Sequence, residues 1–147
     1  MKRFSHSIRR CWGLKMQIIP YENYNEAEIL ALYGAVGWVA YTRDPDSLRR
    51  GFENSLLTFA AYEGESLIGI IRTVGDGATI VYIQDLLVLP EYQGKGVGTE
   101  LLSAILDRFR SVRQVVLMTD DTEKTVAFYK KAGLTPADEY GCRAFMK

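Results

Sequence analysis

The sequence predicts a single α/β domain in which a mixed sheet carries helices on both faces. Its 147 residues fall within the usual size of one domain, about 100–200 residues. Strand-like segments joined by tight turns come first, and strand and helix patterns then alternate, which is the order expected of such a sheet. Hydrophobic residues make up 48% of the chain and charged residues 24%, as is typical of a folded globular domain.

The first third of the chain predicts one short strand and two helices. Residues 16–20 form an apolar, strand-like segment. Asn25 is a good helix N-cap residue and precedes apolar residues at helical spacing, a pattern that fades at Gly34. Asp44, followed by a proline, starts a second and shorter helix that ends near residue 52.

The middle of the chain predicts antiparallel strands. Residues 56–62 and 67–74 are strand-like and are separated by the polar turn 63–66. The apolar run 79–89 is long enough for a central strand that is buried on both faces, and it stops at Pro90.

The last third predicts alternating helices and strands. Apolar residues recur at helical spacing over 97–109, and a short apolar strand follows at 114–118. A helix over 122–132 has acidic residues near its start and ends at Gly133. We expect a final strand over 143–146.

The composition excludes several classes of function. No run of about 18 apolar residues exists, so we expect no membrane span. Two cysteines and the one histidine, His6, leave no zinc-ligand spacing, so we expect no metal site. The formal net charge is zero, which gives no electrostatic reason to expect a nucleic-acid partner.

The first 15 residues differ in charge from the rest of the chain. They hold five of the 18 basic residues and none of the 18 acidic ones. Either they form a basic arm that touches acidic partners, or they are a frayed extension ahead of a domain that spans residues 16–147. We expect a disordered extension, because chain termini are usually poorly ordered. They lack the apolar region of a signal peptide, so the default location is the cytoplasm.

The most informative segment is the glycine-rich turn between the predicted central strand and the helix after it. Gly94, Gly96 and Gly98 alternate there, with Lys95 among them. Backbone N–H groups at a helix N-terminus, with no side chains in the way, can bind a phosphate. The alternative is an ordinary tight turn that needs glycine for positive φ.

The spacing of this turn matches neither a Walker loop nor a dinucleotide fingerprint. The motif from Gln93 to Gly98 instead resembles the Q/R-x-x-G-x-G/A pyrophosphate loop of the GNAT (GCN5-related) N-acetyltransferases. Residues 86–92 resemble the strand that leads into that loop, and residues 127–134 resemble the family's later F-Y-x-x-x-G-F segment. Order and spacing agree from about Met16 to the end of the chain.

The resemblance implies a GNAT-like sheet, mostly antiparallel, flanked by helices and splayed between its central strands to admit the pantetheine of acetyl-CoA. It further implies a set of cofactor-binding residues. These are Leu86, Leu87, Val88, Gln93, Gly94, Lys95, Gly96, Val97, Gly98 and Thr99. Backbone N–H groups near Leu87 and Val88 would polarise the thioester carbonyl.

Short motifs are similar to the serotonin-type arylalkylamine branch of that family. They are Leu32-Tyr33 with Gly37-Trp38, Glu53-Asn54-Ser55-Leu56, and Arg72 with Asp76-Gly77. One position departs from the family: Thr122 stands where an asparagine often contacts coenzyme A.

Two residues are candidates for proton transfer. The resemblance makes Tyr129 the acid for the leaving thiolate, and the alternative is packing in the core. Asp85 interrupts an apolar run together with Gln84. Two polar residues in a buried strand either brace a bulge or face a cleft, where Asp85 would take the acceptor's proton directly or through water.

Aromatic residues near the loop between the first two helices are candidates for acceptor binding. They are Tyr33, Trp38 and Tyr41, and Gln84 is a further candidate. Packing in the core is the alternative for these rings.

The predicted function is acetylation of a primary amine of a small molecule by direct attack in a ternary complex with acetyl-CoA. Two alternatives stay open: a protein N-acetyltransferase and a non-enzymatic acyl-CoA-binding module. The sequence does not fix the oligomeric state, for which a homodimer is one option.

Overall fold

A six-stranded sheet organises most of the chain. The computed structural model describes residues 8–11 and 14–147, with side chains from residue 15 onward. The strands are β1 (Ile8–Cys11), β2 (Leu14–Pro20), β3 (Leu57–Glu63), β4 (Ser66–Gly75), β5 (Ile80–Val88) and β6 (Gln114–Leu117). They lie in the sheet in the order in which they occur in the sequence. The described residues divide into two compact units: the first ends at Leu117, and the second runs from Met118 to Lys147.

Within the described residues, five α-helices accompany the sheet. They are α1 (Glu26–Ala35), α2 (Val39–Thr42), α3 (Pro45–Glu53), α4 (Val97–Arg108) and α5 (Glu123–Lys131). Polar side chains start three of them: Asn25 accepts a hydrogen bond from the N–H of Glu28 at α1, Asp44 from that of Ser47 at α3, and Thr122 from that of Thr125 at α5. Helices α1 to α4 belong to the first unit, and α5 belongs to the second.

Among the described strands, neighbours are antiparallel from β1 to β5, and only the β5–β6 pair is parallel. A parallel connection needs a crossover, and α4 lies in that crossover. The mixed sheet predicted from the strand and helix pattern is therefore confirmed, as is the mostly antiparallel pairing that the resemblance implies.

The helices of the first unit cover both faces of the sheet. Ile70 packs in a core with side chains of α1 and α3. The adjacent Gly69 faces the other way: a Cβ placed on it would lie 3.2 Å from Leu101 and 3.3 Å from Val97, both on α4. Since successive strand residues point to opposite faces, α1 and α3 lie on one face and α4 on the other.

A β-bulge interrupts the pairing of β4 with β5. Arg72 pairs with Asp85, but the next pair is Thr73 with Ile83, so Gln84 is an extra residue on β5. The bulge moves the buried half of β5 from one face of the sheet to the other. Asp85 lies on the face of α1 with its partner Arg72, whereas Ile83 lies on the face of α4 with Thr73.

Two predictions at the chain ends are corrected. Residues 8–11 form β1, which pairs with residues 14–17, so this part of the expected disordered extension belongs to the sheet. Residues 1–7 and 12–13 lie outside the described residues. Residues 143–146 are not a strand. The second unit contains no other strand with which they could make a ladder. Within the described ranges, no helix is long and apolar enough to cross a membrane.

Candidate functional site

The glycine-rich loop leaves the start of α4 open. Gly94 has φ of 73° and Gly96 has φ of 87°, a left-handed conformation that favours glycine. Gly96 is the N-cap residue of α4, and no side chain makes a capping hydrogen bond there. A Cβ placed on Gly94 would have no heavy atom within 4 Å. The first N–H groups of α4, which have no partner inside the helix, are therefore not blocked by a capping side chain.

Side chains brace this loop against β5 and β3. The amide of Gln93 donates to the Val88 carbonyl over 3.1 Å, and the Tyr92 hydroxyl donates to Glu63 over 2.5 Å. The Lys95 ammonium lies 5.3 Å from the centre of the Tyr92 ring, within the range of a cation–π contact. Gln93 thus fixes the loop, and Lys95 is the cation that the loop carries.

The strand β5 extends beyond its pairing with β6. Pairing with β6 ends at Ile83 and Leu117, so the last five residues of β5 do not pair with β6, and the splay that the resemblance implies stays a prediction. The N–H of Leu89 donates to Ile68 on β4 over 2.9 Å. Because backbone groups alternate in direction along a strand, the N–H of Leu87 also points to β4, and that of Val88 points away. The N–H of Leu87 is therefore directed to the ladder, and of these two groups it is the N–H of Val88 that could meet a thioester carbonyl.

A buried polar cluster lies where the bulge meets α1. Arg72 is 5% exposed, Asp85 1% and Tyr33 0%. The Arg72 Nε donates to Oδ2 of Asp85 over 2.7 Å, and the Tyr33 hydroxyl donates to the same oxygen over 2.6 Å. The other oxygen, Oδ1, is buried and has no hydrogen-bond partner among the residues that the structure describes.

This cluster shifts the titration of its neighbours. Burial, followed by the Asp85 carboxylate, raises the pKa of Tyr33 above its usual value. Burial alone would lower the pKa of Arg72, but Asp85 and Tyr33 outweigh it and the pKa is raised. Tyr33 therefore stays a hydrogen-bond donor and Arg72 stays a cation at neutral pH.

The predicted aromatic residues fall into two groups. Tyr33 is fully buried and packs 6.2 Å from Phe52, centre to centre. It therefore offers no wall to a ligand, and its prediction as a contact residue is corrected. Trp38 is 38% exposed and stacks on Tyr41, with ring centres 5.8 Å apart and an angle of 23°. The exposed Gln84 donates to the Tyr41 hydroxyl over 3.1 Å.

A small pocket of about 180 Å³ lies beside this cluster. Residues of α2, α3 and β4 line it: Ala40, Tyr41, Asp44, Ser47, Leu48, Gly51 and Arg72. The pocket lies between the aromatic pair and the buried ion pair, because Tyr41 of the aromatic pair and Arg72 of the ion pair both line it.

Tyr129 lies on α5 in the second unit. Its ring is half-buried and packs edge-on against Phe128, with centres 5.0 Å apart. Burial raises the pKa of Tyr129, and a hydrogen bond with Thr119 opposes this. The side chain of Thr122 is the N-cap of this helix and accepts a hydrogen bond from the N–H of Thr125.

Sequence reasoning assigned no role to Arg72 or Ser55, which donates from its hydroxyl to Gly51 and accepts from Arg72. A signal was present, since Arg72 is a charged residue inside the apolar run 67–74.

Comparison with known proteins identifies the family. A model described as the acetyltransferase (GNAT) family matches residues 10–134. The chain belongs to the GNAT family. A GNAT family acetyltransferase from Streptococcus pneumoniae TIGR4 has a similar solved structure, with a TM-score of 0.82 and 36% identity, covering 90% of this chain and 96% of that one.

Curated GNAT relatives are longer than this chain. An uncharacterized ycf52-like N-acetyltransferase from Prochlorococcus marinus is 32% identical over 115 residues, which are 74% of this chain and 61% of that protein. N-alpha-acetyltransferase 30 of Schizosaccharomyces pombe is 34% identical over 83 residues, 52% of this chain and 55% of the relative. The chain thus spans about three fifths of the length of these relatives.

Proposed function

We propose that this GNAT protein transfers an acetyl group from acetyl-CoA to a primary amine of a small molecule, by direct attack in a ternary complex. The observation that carries the proposal is the buried Asp85, with one oxygen unpartnered. Next to Asp85, on the same bulge, Gln84 contacts the half-exposed Tyr41. This arrangement offers an anion for one ammonium group and a flat apolar surface for the body of the acceptor.

The loop at the start of α4 fits the pyrophosphate of acetyl-CoA. GNAT proteins generally use acetyl-CoA, which supplies the acetyl group as a thioester. The open N–H groups from Val97 to Thr99 would hold the phosphates together with Lys95. The space around Gly94, where a Cβ would meet nothing, lets a ligand approach the backbone. The N–H of Val88 points away from β4 and would donate to the thioester carbonyl.

Two residues of the chain would move protons. Asp85 would accept a proton from the acceptor ammonium, directly or through water. The pKa of Tyr129 is raised by burial, so its phenol stays protonated at neutral pH and can donate to the departing thiolate. A phenol with a pKa near or above ~10 protonates a thiolate with a pKa of ~8.5 without becoming permanently ionised.

The aromatic pair would favour an arylalkylamine. Trp38 and Tyr41 expose stacked rings beside Gln84. An aromatic acceptor packed on them gains about 0.5–1.5 kcal/mol beyond burial of its surface. We therefore expect a preference of only several-fold for aromatic amines over alkyl ones.

The second candidate function is acetylation of protein amines. The similarity to N-alpha-acetyltransferase 30 of Schizosaccharomyces pombe favours it. A peptide acceptor would lie across an open surface, whereas the pocket of about 180 Å³ suits a small group.

An assay of thiol release from acetyl-CoA tests the proposal. The panel contains tryptamine-like amines, alkyl amines, spermine, and peptides with a free N-terminus. We expect small primary amines to give the highest kcat/KM, and Trp38→Ala to penalise aromatic amines selectively. A preference of several orders of magnitude for peptides would support the second candidate. Binding of acetyl-CoA without thiol release for any amine would indicate a non-enzymatic binding module.

A further inference from the structure

Arg72 and Asp85 form an unusually one-sided ion pair. Arginine commonly meets a carboxylate with two parallel hydrogen bonds, one to each oxygen. Here the Arg72 Nε and the Tyr33 hydroxyl both donate to Oδ2. Oδ1 of Asp85 receives no hydrogen bond from the described residues, although it is buried.

Helix α3 and the residues after it hold Arg72 in this orientation. Its Nη1 donates to the Ser55 hydroxyl oxygen over 3.2 Å, and its guanidinium carbon lies 5.3 Å from the centre of the Phe52 ring. The Ser55 hydroxyl in turn donates to the Gly51 carbonyl over 2.7 Å. Ser55 thus holds one end of the guanidinium.

Gly51 makes room for this arrangement. A Cβ at this position would lie 3.2 Å from Nη1 of Arg72, closer than most such contacts. Glycine inside a helix costs about 1 kcal/mol relative to alanine. The residue that weakens the helix is therefore the one that lets the guanidinium lie against it.

We propose that Arg72 is a positioning residue that holds Asp85 with Oδ1 turned to the acceptor ammonium. The inference rests on the proposed function. The Arg72 Nε donates to Oδ2 while Nη1 is engaged by Ser55, and Oδ1 has no donor among the described residues, so Oδ1 is left for a ligand. A buried carboxylate oxygen without a donor is unfavourable, so an N–H group of the acceptor binds there at an advantage.

Arg72→Lys tests the inference because lysine keeps the charge but loses the planar fork. The variant is made in the parent and in an Asp85→Asn background, and kcat and KM are measured for the best amine of the panel. In the parent we expect kcat/KM for the amine to fall about 10- to 100-fold, the range expected for one hydrogen bond to a charged group. The KM for acetyl-CoA stays within about twofold.

The background decides whether Arg72 acts through Asp85. If it does, Arg72→Lys changes kcat/KM by less than about twofold once Asp85 is Asn. An equal fall in both backgrounds overturns the proposal, because a merely structural arginine would act regardless of residue 85. Arg49→Lys is the matched control, since Arg49 forms an exposed ion pair with Glu26 and should leave the kinetics unchanged.

A second variant covers a failure of Arg72→Lys to fold. Ser55→Ala removes only the contact that directs Nη1, and we expect a fall in kcat/KM of about 2- to 10-fold that disappears in the Asp85→Asn background. No effect, or the same effect in both backgrounds, contradicts the inference. If the parent protein releases thiol with none of the amines in the panel, the proposed function is contradicted as well. If the parent is active and tolerates both variants, only the inference is contradicted.

Discussion

At the scale of single residues, comparing Gly94 with Gly64 distinguishes an effect on ligand binding from an effect of backbone strain. Gly94 and Gly64 both have positive φ, 73° and 59°, and a Cβ on either would meet nothing within 4 Å. Alanine should therefore strain both positions by a similar amount, about 1–2 kcal/mol. Only Gly94 lies in the proposed pyrophosphate loop.

We expect Gly94→Ala to weaken acetyl-CoA binding at least about tenfold, a change of ~1.4 kcal/mol, and Gly64→Ala to leave it unchanged. Calorimetric titration of both variants measures the difference. If both variants fold and bind acetyl-CoA with equal affinity, the loop that contains Gly94 is not part of the cofactor site.

Tyr129 allows a second test at this scale. Tyr129→Phe keeps the ring and its packing against Phe128 but removes the hydroxyl group that would donate the proton. Loss of a general acid commonly lowers kcat about 10²–10⁴-fold, and we expect an effect in this range with acetyl-CoA affinity retained. Steady-state kinetics at saturating acetyl-CoA measure it. Turnover within about twofold of the parent would show that water is the acid.

At the scale of elements, the bulge at Gln84 links the fold to the site. It allows Ile83 to face α4 and Asp85 to face α1 on the same strand. A shift of one residue in a strand sends its side chains to the opposite face. Because Gln84 is the extra residue, deleting it would make Ile83 and Asp85 consecutive, so that each keeps its face and its partner on β4 and the ladder becomes regular.

We expect both the Gln84 deletion and Gln84→Ala to unfold cooperatively within a few degrees of the parent, because neither change moves a buried side chain of β5 to the other face. Thermal melts followed by circular dichroism compare the two. A deletion variant that no longer unfolds cooperatively would contradict the assignment of Gln84 as the extra residue of β5.

The elements also show what the sequence could and could not predict. The hairpin of β3 and β4, the strand β5 and the helix α4 follow from turn residues and apolar spacing, which are local signals, although β5 is fully buried only at alternate residues and not on both faces as expected. A bulge was one of the two interpretations of Gln84 and Asp85 that the sequence left open. The ion pair of Arg72 with Asp85 was missed because it depends on the register between two strands. The same holds for β1, whose place depends on its pairing with β2.

At the scale of the whole molecule, buried tyrosines predict loss of stability in alkali. Burial raises the pKa of Tyr33, and burial with a hydrogen bond to Glu28 raises the pKa of Tyr62 to about 12. In the unfolded chain these phenols titrate near pH ~10. Stability from a group with a raised pKa is complete below that pH and is lost as pH rises through the folded value.

We therefore expect Tm to be steady up to about pH 10 and to fall between pH 10 and 12. Tyr62→Phe removes one titrating group and should flatten the fall. Melts at half-unit steps of pH measure both curves. A Tm that stays constant to pH 11.5 would contradict the assignment of these tyrosines.

The edge of the sheet gives the last prediction. β1 covers the outer edge of β2 over four residue pairs, from Ile8 with Gln17 to Cys11 with Leu14. An uncovered strand edge is a template for pairing with another chain. Deleting residues 1–13 removes β1 but leaves β2 and the proposed site intact, whereas deleting residues 1–7 leaves β1 in place and is the matched control.

We expect the longer deletion to lower stability by about 1–2 kcal/mol, the order of a few exposed hydrogen bonds, with a fall in Tm of a few degrees. It should also increase self-association, because β2 then presents a free ladder edge. Acetyl-CoA affinity should not change, since the loop before α4 makes its contacts with β3 and β5. Light scattering and thermal melts of both deletions provide the measurement. If the two deletions behave alike, β1 contributes nothing to the sheet in solution, and the stable domain begins at β2.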